Sequence, residues 1–300
     1  MRAGPGAVDP GLRAAILGWY DAHGRRLPFR GVGDPYLVLV SEVMAQQTQI
    51  SRVGEAWRRF TAVYPSVASL AAASPADVLR AWRGLGYNRR ALNLRRAARA
   101  IVKEHEGVVP SSVEALDRLP GIGPYTARAV AAIAFGLPVG AVDTNVRRVL
   151  ARVTTGSADG VPPIEMRRLA DASVPADRAA DWTHALMDVG ATFCRPARPD
   201  CDRCPAAAWC RYANGGRPPA VVKGSSTRSA AAPFAGTSRW LRGRILDRLR
   251  DAGADAWLPL DAPIGVHDEP TVRACLARLA LDGLVEVHPE RDLTARLPTG

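Results

Sequence analysis

The stretch Pro120-Gly121-Ile122-Gly123-Pro124 constrains the fold of this chain more than any other. Two glycines one residue apart open backbone conformations closed to other residues, so the chain can reverse direction in a tight turn. Just upstream, Ser111-Ser112-Val113-Glu114 has a capping-box spacing, which predicts a helix running to about Leu119. Pro124 suits the first turn of a second helix, and the apolar residues after it carry that helix to about Phe135. The expected unit is helix, glycine hairpin, helix. Bare N–H groups at such a helix start can hold a phosphate with no side chain, which makes Gly121 and Gly123 candidate binding positions. The plainer alternative is an ordinary connection between packed helices.

Residues 11–212 read as nearly all helix, with apolar positions recurring at three and four and breaks rich in Gly and Pro. One long helix is expected from Tyr36 to Phe60. Residues 213–237 have linker composition. Beyond them, a basic amphipathic helix from Arg239 to Leu249 precedes a helix over about Thr271 to Leu281. Leu284–His288 and Leu293–Leu297 then form a hairpin. Helix, helix, hairpin is the order of a small winged-helix-like module over 238–300. Arg239, Arg242, Arg244, Arg248 and Arg250 could touch DNA there, or the module could simply pack on the body before it.

Charge narrows the partner. Forty Lys plus Arg against 29 Asp plus Glu leave a net charge of +11, which points to nucleic acid first and an anionic membrane second. No apolar run of about 18 residues occurs and the start lacks a signal core, so membrane spanning and secretion are not expected. From Arg80 to Lys103 the chain carries eight basic residues and no acidic one. Such a run is either a solvated face or a phosphate-tracking surface. Within it, Gly84-Leu85-Gly86-Tyr87-Asn88 sets an aromatic beside two glycines, suited to wedging between bases.

Cys194, Cys201, Cys204 and Cys210 are separated by six, two and five residues. Four thiolates so closely spaced can enclose one metal centre, and their spacing leaves zinc and iron–sulfur both open. Two carboxylates complete the chemistry. Glu42 is the only charge in the apolar run Leu37–Ala45, where burial would raise its pKa and let it act as a general acid. Asp143, in Val142-Asp143-Thr144-Asn145-Val146, stands where a helix begins and is otherwise an N-cap.

Together, Ser41-Glu42-Val43-Met44-Ala45-Gln46-Gln47-Thr48-Gln49, Gly84-Leu85-Gly86-Tyr87, Leu119-Pro120-Gly121-Ile122-Gly123, Val142–Val146 and the cysteine spacing resemble the helix-hairpin-helix DNA glycosylases. Among these the chain is most similar to adenine DNA glycosylases of the MutY type, in a short form without their C-terminal nucleotide-hydrolase-like domain. The resemblance covers about residues 11–212. It implies an all-α fold with two helical subdomains, one of six helices over about 31–132 and one from about 11–30 with 133–212. It also implies a [4Fe–4S] cluster on Cys194, Cys201, Cys204 and Cys210, and double-stranded DNA with a flipped base as the partner. By the same resemblance, Glu42 is the acid that protonates adenine and Asp143 stabilises or traps the sugar cation. Asn145 would orient Asp143, and Tyr125 would contact the acid. Arg25, Gln47 and Leu85 would line the adenine pocket, Tyr87 would intercalate beside the opposing damaged guanine, and Thr48 would join the DNA-facing set.

The expected reaction is hydrolysis of the N-glycosidic bond of adenine mispaired with 8-oxoguanine or guanine. The related endonuclease III type has a lysine where this chain has Tyr125. A phenol forms no imine, so a monofunctional enzyme leaving an abasic site is expected. Alternatives are a same-fold glycosylase for hypoxanthine or a mismatched pyrimidine, and a non-catalytic iron–sulfur DNA-binding regulator. A cytoplasmic bacterial monomer is expected. Two positions depart from the resemblance: Phe29 replaces a usual tryptophan, and Asn88 follows Tyr87 where a second tyrosine is frequent. Both touch the expected DNA-facing region, where they would loosen base preference.

Overall fold

The computed structural model describes residues 8–215, 233–253 and 255–300, so residues 216–232 of the expected linker lie outside the described residues. Among the described residues the fold is all-α apart from one small sheet. The helices run in chain order α1 (Pro10–His23), α2 (Pro35–Ala45), α3 (Ile50–Val63), α4 (Val67–Ala72), α5 (Pro75–Ala81), α6 (Arg89–Glu104) and α7 (Val113–Asp117). They continue with α8 (Pro124–Phe135), α9 (Thr144–Thr155), α10 (Pro163–Ser173), α11 (Ala179–Thr192), α12 (Arg211–Asn214), α13 (Ser238–Asp251) and α14 (Glu269–Leu281). Three short strands, β1 (Leu258–Pro259), β2 (Glu286–Val287) and β3 (Thr294–Arg296), form an antiparallel sheet in the order β1-β3-β2. Among the described residues no helix is long and apolar enough to cross a membrane.

Packing divides the chain into two units, one of residues 1–42, 110–118 and 122–225, the other of 43–109, 119–121 and 226–300. In the first, α11 lies against α1, α8 and α9, and the buried side chains of Ile16, Leu150, Trp182, Leu186 and Val189 form its core. Gly190 is what lets α11 approach α9. A Cβ at that position would lie 2.5 Å from the Cβ of Asn145.

In the second unit, α4 and α5 pack on α6 around Leu70, Leu79, Trp82, Leu94 and Ile101. The expected single helix from Tyr36 to Phe60 is instead two, α2 and α3, because the backbone turns left-handed at Gln47 (φ 52°). The Arg90 guanidinium compensates the broken end. It donates to the carbonyls of Val43 (2.9 Å) and Met44 (3.0 Å), and to that of Gln46, groups a continuing helix would have paired internally.

The C-terminal module belongs to this second unit. Its helices α13 and α14 bury Leu241, Ile245, Leu249, Val272, Leu276 and Leu279, and β2 pairs with β3 as expected. The strand β1, two residues long, was not foreseen in the sequence. Helix α13 also packs on α5, where the buried Arg250 donates to the carbonyl of Leu79 (2.9 Å) and to Asn88 Oδ1 (2.7 Å). Several arginines expected to face DNA have partners within the chain. Arg242 pairs with Asp282, Arg244 with Asp247 and Arg83 with Asp251. Arg80 pairs with Asp77, and Arg95 donates to the Ala73 carbonyl. Within α6, Arg90 and Arg95 donate to backbone carbonyls of neighbouring segments.

Candidate active site

Glu42 sits on α2 in the most apolar helix of the first unit, flanked by Val38, Leu39 and Val40, all buried. Its side chain is withdrawn from water, with the residue 9% exposed. Burial pushes its pKa from 4.5 up to about 7, against the pull of a Tyr125 hydrogen bond and the charge of Arg30, and Asp143 adds to the rise. A carboxyl so placed is a proton donor near neutrality. Tyr125 enters from α8, one residue after Pro124, and its Oη donates to Glu42 Oε2 at 3.4 Å. Burial raises the Tyr125 pKa well above its ordinary value, so it remains a neutral phenol.

The second carboxylate is a helix cap and more. Asp143 Oδ1 accepts the N–H of Val146 at 2.6 Å, closing the first turn of α9. Its other oxygen accepts from Asn145 Nδ2 at 3.0 Å. Asn145 is fixed in turn by Arg148, whose Nη2 donates to Asn145 Oδ1 (2.7 Å) and to the Gly190 carbonyl (2.8 Å). The carboxylate is therefore held in one orientation from both sides. Tyr125 and Asp143 line a cavity of about 320 Å³ together with Val142, Arg128, Arg147 and Arg167. That volume is at the small end of the range for small-molecule pockets.

The turn before α8 divides its two glycines by role. Gly121 has φ 77°, and a Cβ there would lie 2.5 Å from the Asn93 Cβ, so only glycine fits. Gly123 is extended, has open space around it and begins α8 with no side-chain cap. A phosphate oxygen could therefore approach the first N–H groups. Upstream, the cap of α7 is Ser112, which accepts from Ala115 N–H at 3.2 Å.

Arg25 and Arg30 converge on Asp188, which is fully buried on α11. Burial would raise this carboxyl, but hydrogen bonds from Arg30 and Arg25 outweigh it and hold the pKa below its ordinary value. Nearby His184 is driven down to about 3 by burial and by Arg30, so it is neutral. Phe29, one of the two departures, is buried rather than facing solvent.

In the second unit the Gly84–Asn88 hairpin carries Tyr87 with φ 44° and 47% exposed, while Leu85 points into the core. Arg90 ties this hairpin to the 46–49 turn. Beside the bonds already named, it donates to the carbonyls of Leu85 and Gly86 and to Thr48 Oγ1 (3.0 Å). Burial lowers its pKa to about 10, still fully charged at neutral pH. Gln47, Thr48 and Tyr87 are thereby gathered on one frame. Asn88, the other departure, is occupied by Arg250.

Cys194, Cys201, Cys204 and Cys210 all line one cavity in the first unit. Burial pushes the Cys204 thiol up to about 12, and the other three cysteines add to the rise. Among the described residues no three ligating side chains are close enough to hold a single metal ion. Arg152 lies against the group, with Nη1 3.4 Å from Cys194 Sγ and a buried Nε that has no partner. Sequence reasoning did not find Arg30, Arg148, Arg152, Asp188 or Gly190. Their partners are 42 or more residues away for most of these bonds, and no local pattern announces them.

Residues 40–175 match the family model described as HhH-GPD superfamily base excision DNA repair protein. The chain is 41% identical over 273 residues to the adenine DNA glycosylase of Mycolicibacterium smegmatis, covering 90% of this chain and 91% of that one. Among solved structures it resembles a thermostable thymine-DNA glycosylase, with a TM-score of 0.64 and 28% identity over 68% of this chain and 97% of that one. It is also similar to endonuclease III in a trapped covalent DNA intermediate, with a TM-score of 0.58 and 25% identity over 68% of this chain and 94% of that one. With its buried carboxyl, its glycine hairpin and this similarity over nearly its whole length, the chain belongs to the adenine DNA glycosylase family of the HhH-GPD superfamily of base excision DNA repair proteins.

Proposed function

We propose that this protein removes adenine paired with 8-oxoguanine or guanine in double-stranded DNA by hydrolysing its N-glycosidic bond, leaving an abasic site. The observation that carries the reading is Glu42, a buried carboxyl with a pKa of about 7 beside a phenol and a second carboxylate. Adenine is a poor leaving group as an anion. A proton delivered by Glu42 to a ring nitrogen lets it depart neutral. The Tyr125 hydroxyl steadies the Glu42 carboxylate left behind. Asp143, held by Asn145 and the Val146 N–H, offsets the positive charge that develops on the sugar until water adds. No amine stands at Tyr125 to form an imine, which supports glycosidic cleavage without strand cleavage.

The remaining roles follow the same reading. By the same resemblance Gln47, Leu85 and Arg25 would each be an adenine contact of its own unit, Tyr87 would intercalate beside the opposing damaged guanine, and Thr48, Gly121 and Gly123 would contact the DNA backbone. Residues 1–212 would be the catalytic region, and the protein would act as a monomer. Cys194, Cys201, Cys204 and Cys210 would bind a [4Fe–4S] cluster as thiolates. All four line one cavity, where the Arg152 guanidinium offers charge and a spare N–H to an anionic group. The cluster would supply a rigid cross-link of the loop from Cys194 to Cys210.

The test is single-turnover base release from duplexes with adenine opposite 8-oxoguanine, guanine or thymine, and with hypoxanthine opposite thymine. Fast release of adenine opposite 8-oxoguanine or guanine, giving strands that break only after alkali, is the expected result. Release of hypoxanthine with adenine left intact would move the protein to another substrate, and no release at all would leave a DNA-binding regulator.

A further inference from the structure

Asp143 reaches its cavity at the end of residues 136–143, the segment that joins α8 to α9. Its two partners, Asn145 and the Val146 N–H, both belong to the first turn of α9, so they fix the carboxylate relative to that helix. They do not fix it relative to Tyr125, which α8 carries. Helix α11 packs on both helices, and a polar tie within the joining segment adds what that packing leaves free.

The tie is made at Gly140. Its carbonyl accepts from Arg128 Nε at 2.8 Å, and its N–H donates to Asp171 Oδ1, also at 2.8 Å. The same Asp171 oxygen accepts from Arg128 Nη2, which closes a ring of three groups. Arg128 stands on α8 one turn after Tyr125, and Asp171 stands on α10. The Arg128 side chain is 14% exposed, and the charge of Asp171 offsets the cost of withdrawing it from water. Gly140 is itself buried, and a Cβ there would lie 2.5 Å from the Ala170 Cβ, so the segment is seated directly on α10. Arg128 and Gly140 line the same cavity of about 320 Å³ as Tyr125 and Asp143. The chemistry assigned to Glu42 uses neither Arg128 nor Asp171.

We propose that Arg128 and Asp171 are positioning residues for the second carboxylate: by clamping both backbone polar groups of Gly140, they fix where Asp143 stands relative to Tyr125 in the shared cavity. The role of Asp143 rests on the adenine glycosylase reading, in which it faces the sugar cation. A carboxylate aimed at a developing charge stabilises it only where it is already in place, and a shift of about 1 Å from a change elsewhere can cost about a hundredfold in rate.

The test compares equilibrium binding of the full chain to two duplexes with guanine opposite the altered sugar. One carries a neutral tetrahydrofuran abasic site, the other a pyrrolidine whose protonated ring nitrogen stands for the sugar cation. The parent should prefer the pyrrolidine duplex, and Asp143→Asn should remove that preference. Arg128→Ala and Asp171→Ala should each cut the preference about tenfold, leave binding to the tetrahydrofuran duplex within about twofold, and slow single-turnover adenine release about 10- to 100-fold. Added to Asp143→Asn, neither should change the preference further, because the clamp acts through that carboxylate. Arg128→Lys keeps the charge but has no fork to hold Gly140 and Asp171 together. It should show the same loss in milder form, and it is the variant read where a truncation lowers the urea midpoint. An unchanged preference in the folded variants would overturn the clamp. So would equal weakening of both duplexes, which would make Arg128 a plain DNA contact. The pyrrolidine carries no base, so binding is read independently of which base is removed. A parent that prefers the pyrrolidine but releases no adenine refutes the adenine reading, with the clamp still judged by binding; a parent that releases adenine while the variants match it refutes the clamp alone.

Discussion

Replacing Glu42 by Gln should abolish catalysis and stabilise the fold, because one buried carboxyl is responsible for both effects. Gln keeps the size and can still accept from the Tyr125 hydroxyl, but it has no proton to give. Loss of a general acid is worth about 10²- to 10⁴-fold, or about 3–5 kcal/mol of barrier, so single-turnover release should fall by at least that range's lower end. Stability moves the other way. Burial raises the Glu42 pKa from 4.5 to about 7, so the folded protein holds a proton that the unfolded chain has already lost between those values. Stability contributed by this group is therefore full below about pH 4.5 and is lost as pH rises to about 7, a cost of about 3 kcal/mol at about 1.4 kcal/mol per pH unit. Glu42→Gln removes that cost. Urea denaturation should find the variant about 3 kcal/mol more stable than the parent at pH 8, relative to the difference at pH 4.5. The parent's rate of base release should also fall tenfold per pH unit above pH 7. A variant that still releases adenine at the parental rate, or whose relative stability is the same at both pH values, would refute the reasoning.

Further outcomes follow from neighbouring contacts. Gly121→Ala forces a Cβ onto Asn93 at a left-handed position and should cost about 1–3 kcal/mol in urea denaturation. Gly123→Ala, with open space around it, should leave stability within about 0.5 kcal/mol yet weaken duplex binding at low salt. Asp188→Asn leaves Arg25 and Arg30 without their buried counter-charge and should lower stability by about 3–5 kcal/mol, measured by the same denaturation. Cys204→Ser should reduce bound iron and its broad visible absorbance in the purified protein; full iron content in that variant would remove Cys204 from the proposed ligand set.

Features that act through their own stretch of chain were legible in the sequence. The glycine turn follows from two glycines and a proline, Glu42 from a lone charge in an apolar helix, and the cysteine set from spacing. Asp143 was legible as an N-cap, and the structure adds the Asn145 bond that gives the cap a second use. What was not legible depends on distant partners. Arg90 looked like one more basic residue in a run of eight, but its guanidinium ends α2 and binds that turn to the Tyr87 hairpin. No period in the sequence marks the break at Gln47, because the apolar spacing continues across it and the Arg90 contacts that hold the turn come from a distant helix. The basic residues of α13 read as a DNA surface for the same reason. Charge shows in a sequence, whereas the carboxylate or carbonyl that claims it, such as Asp282 for Arg242, does not. Asn88 looked like a loosened contact and is a docking point for Arg250.

The central claim is that a proton from Glu42 releases a mispaired adenine. The measurement that meets it most directly is the single-turnover rate of adenine release opposite 8-oxoguanine between pH 5 and 9, for the parent and for Glu42→Gln. The account predicts a plateau at low pH, a fall beginning near pH 7, and loss of at least about a hundredfold in the variant. A parent rate independent of pH across that range, or a variant as fast as the parent, would contradict it.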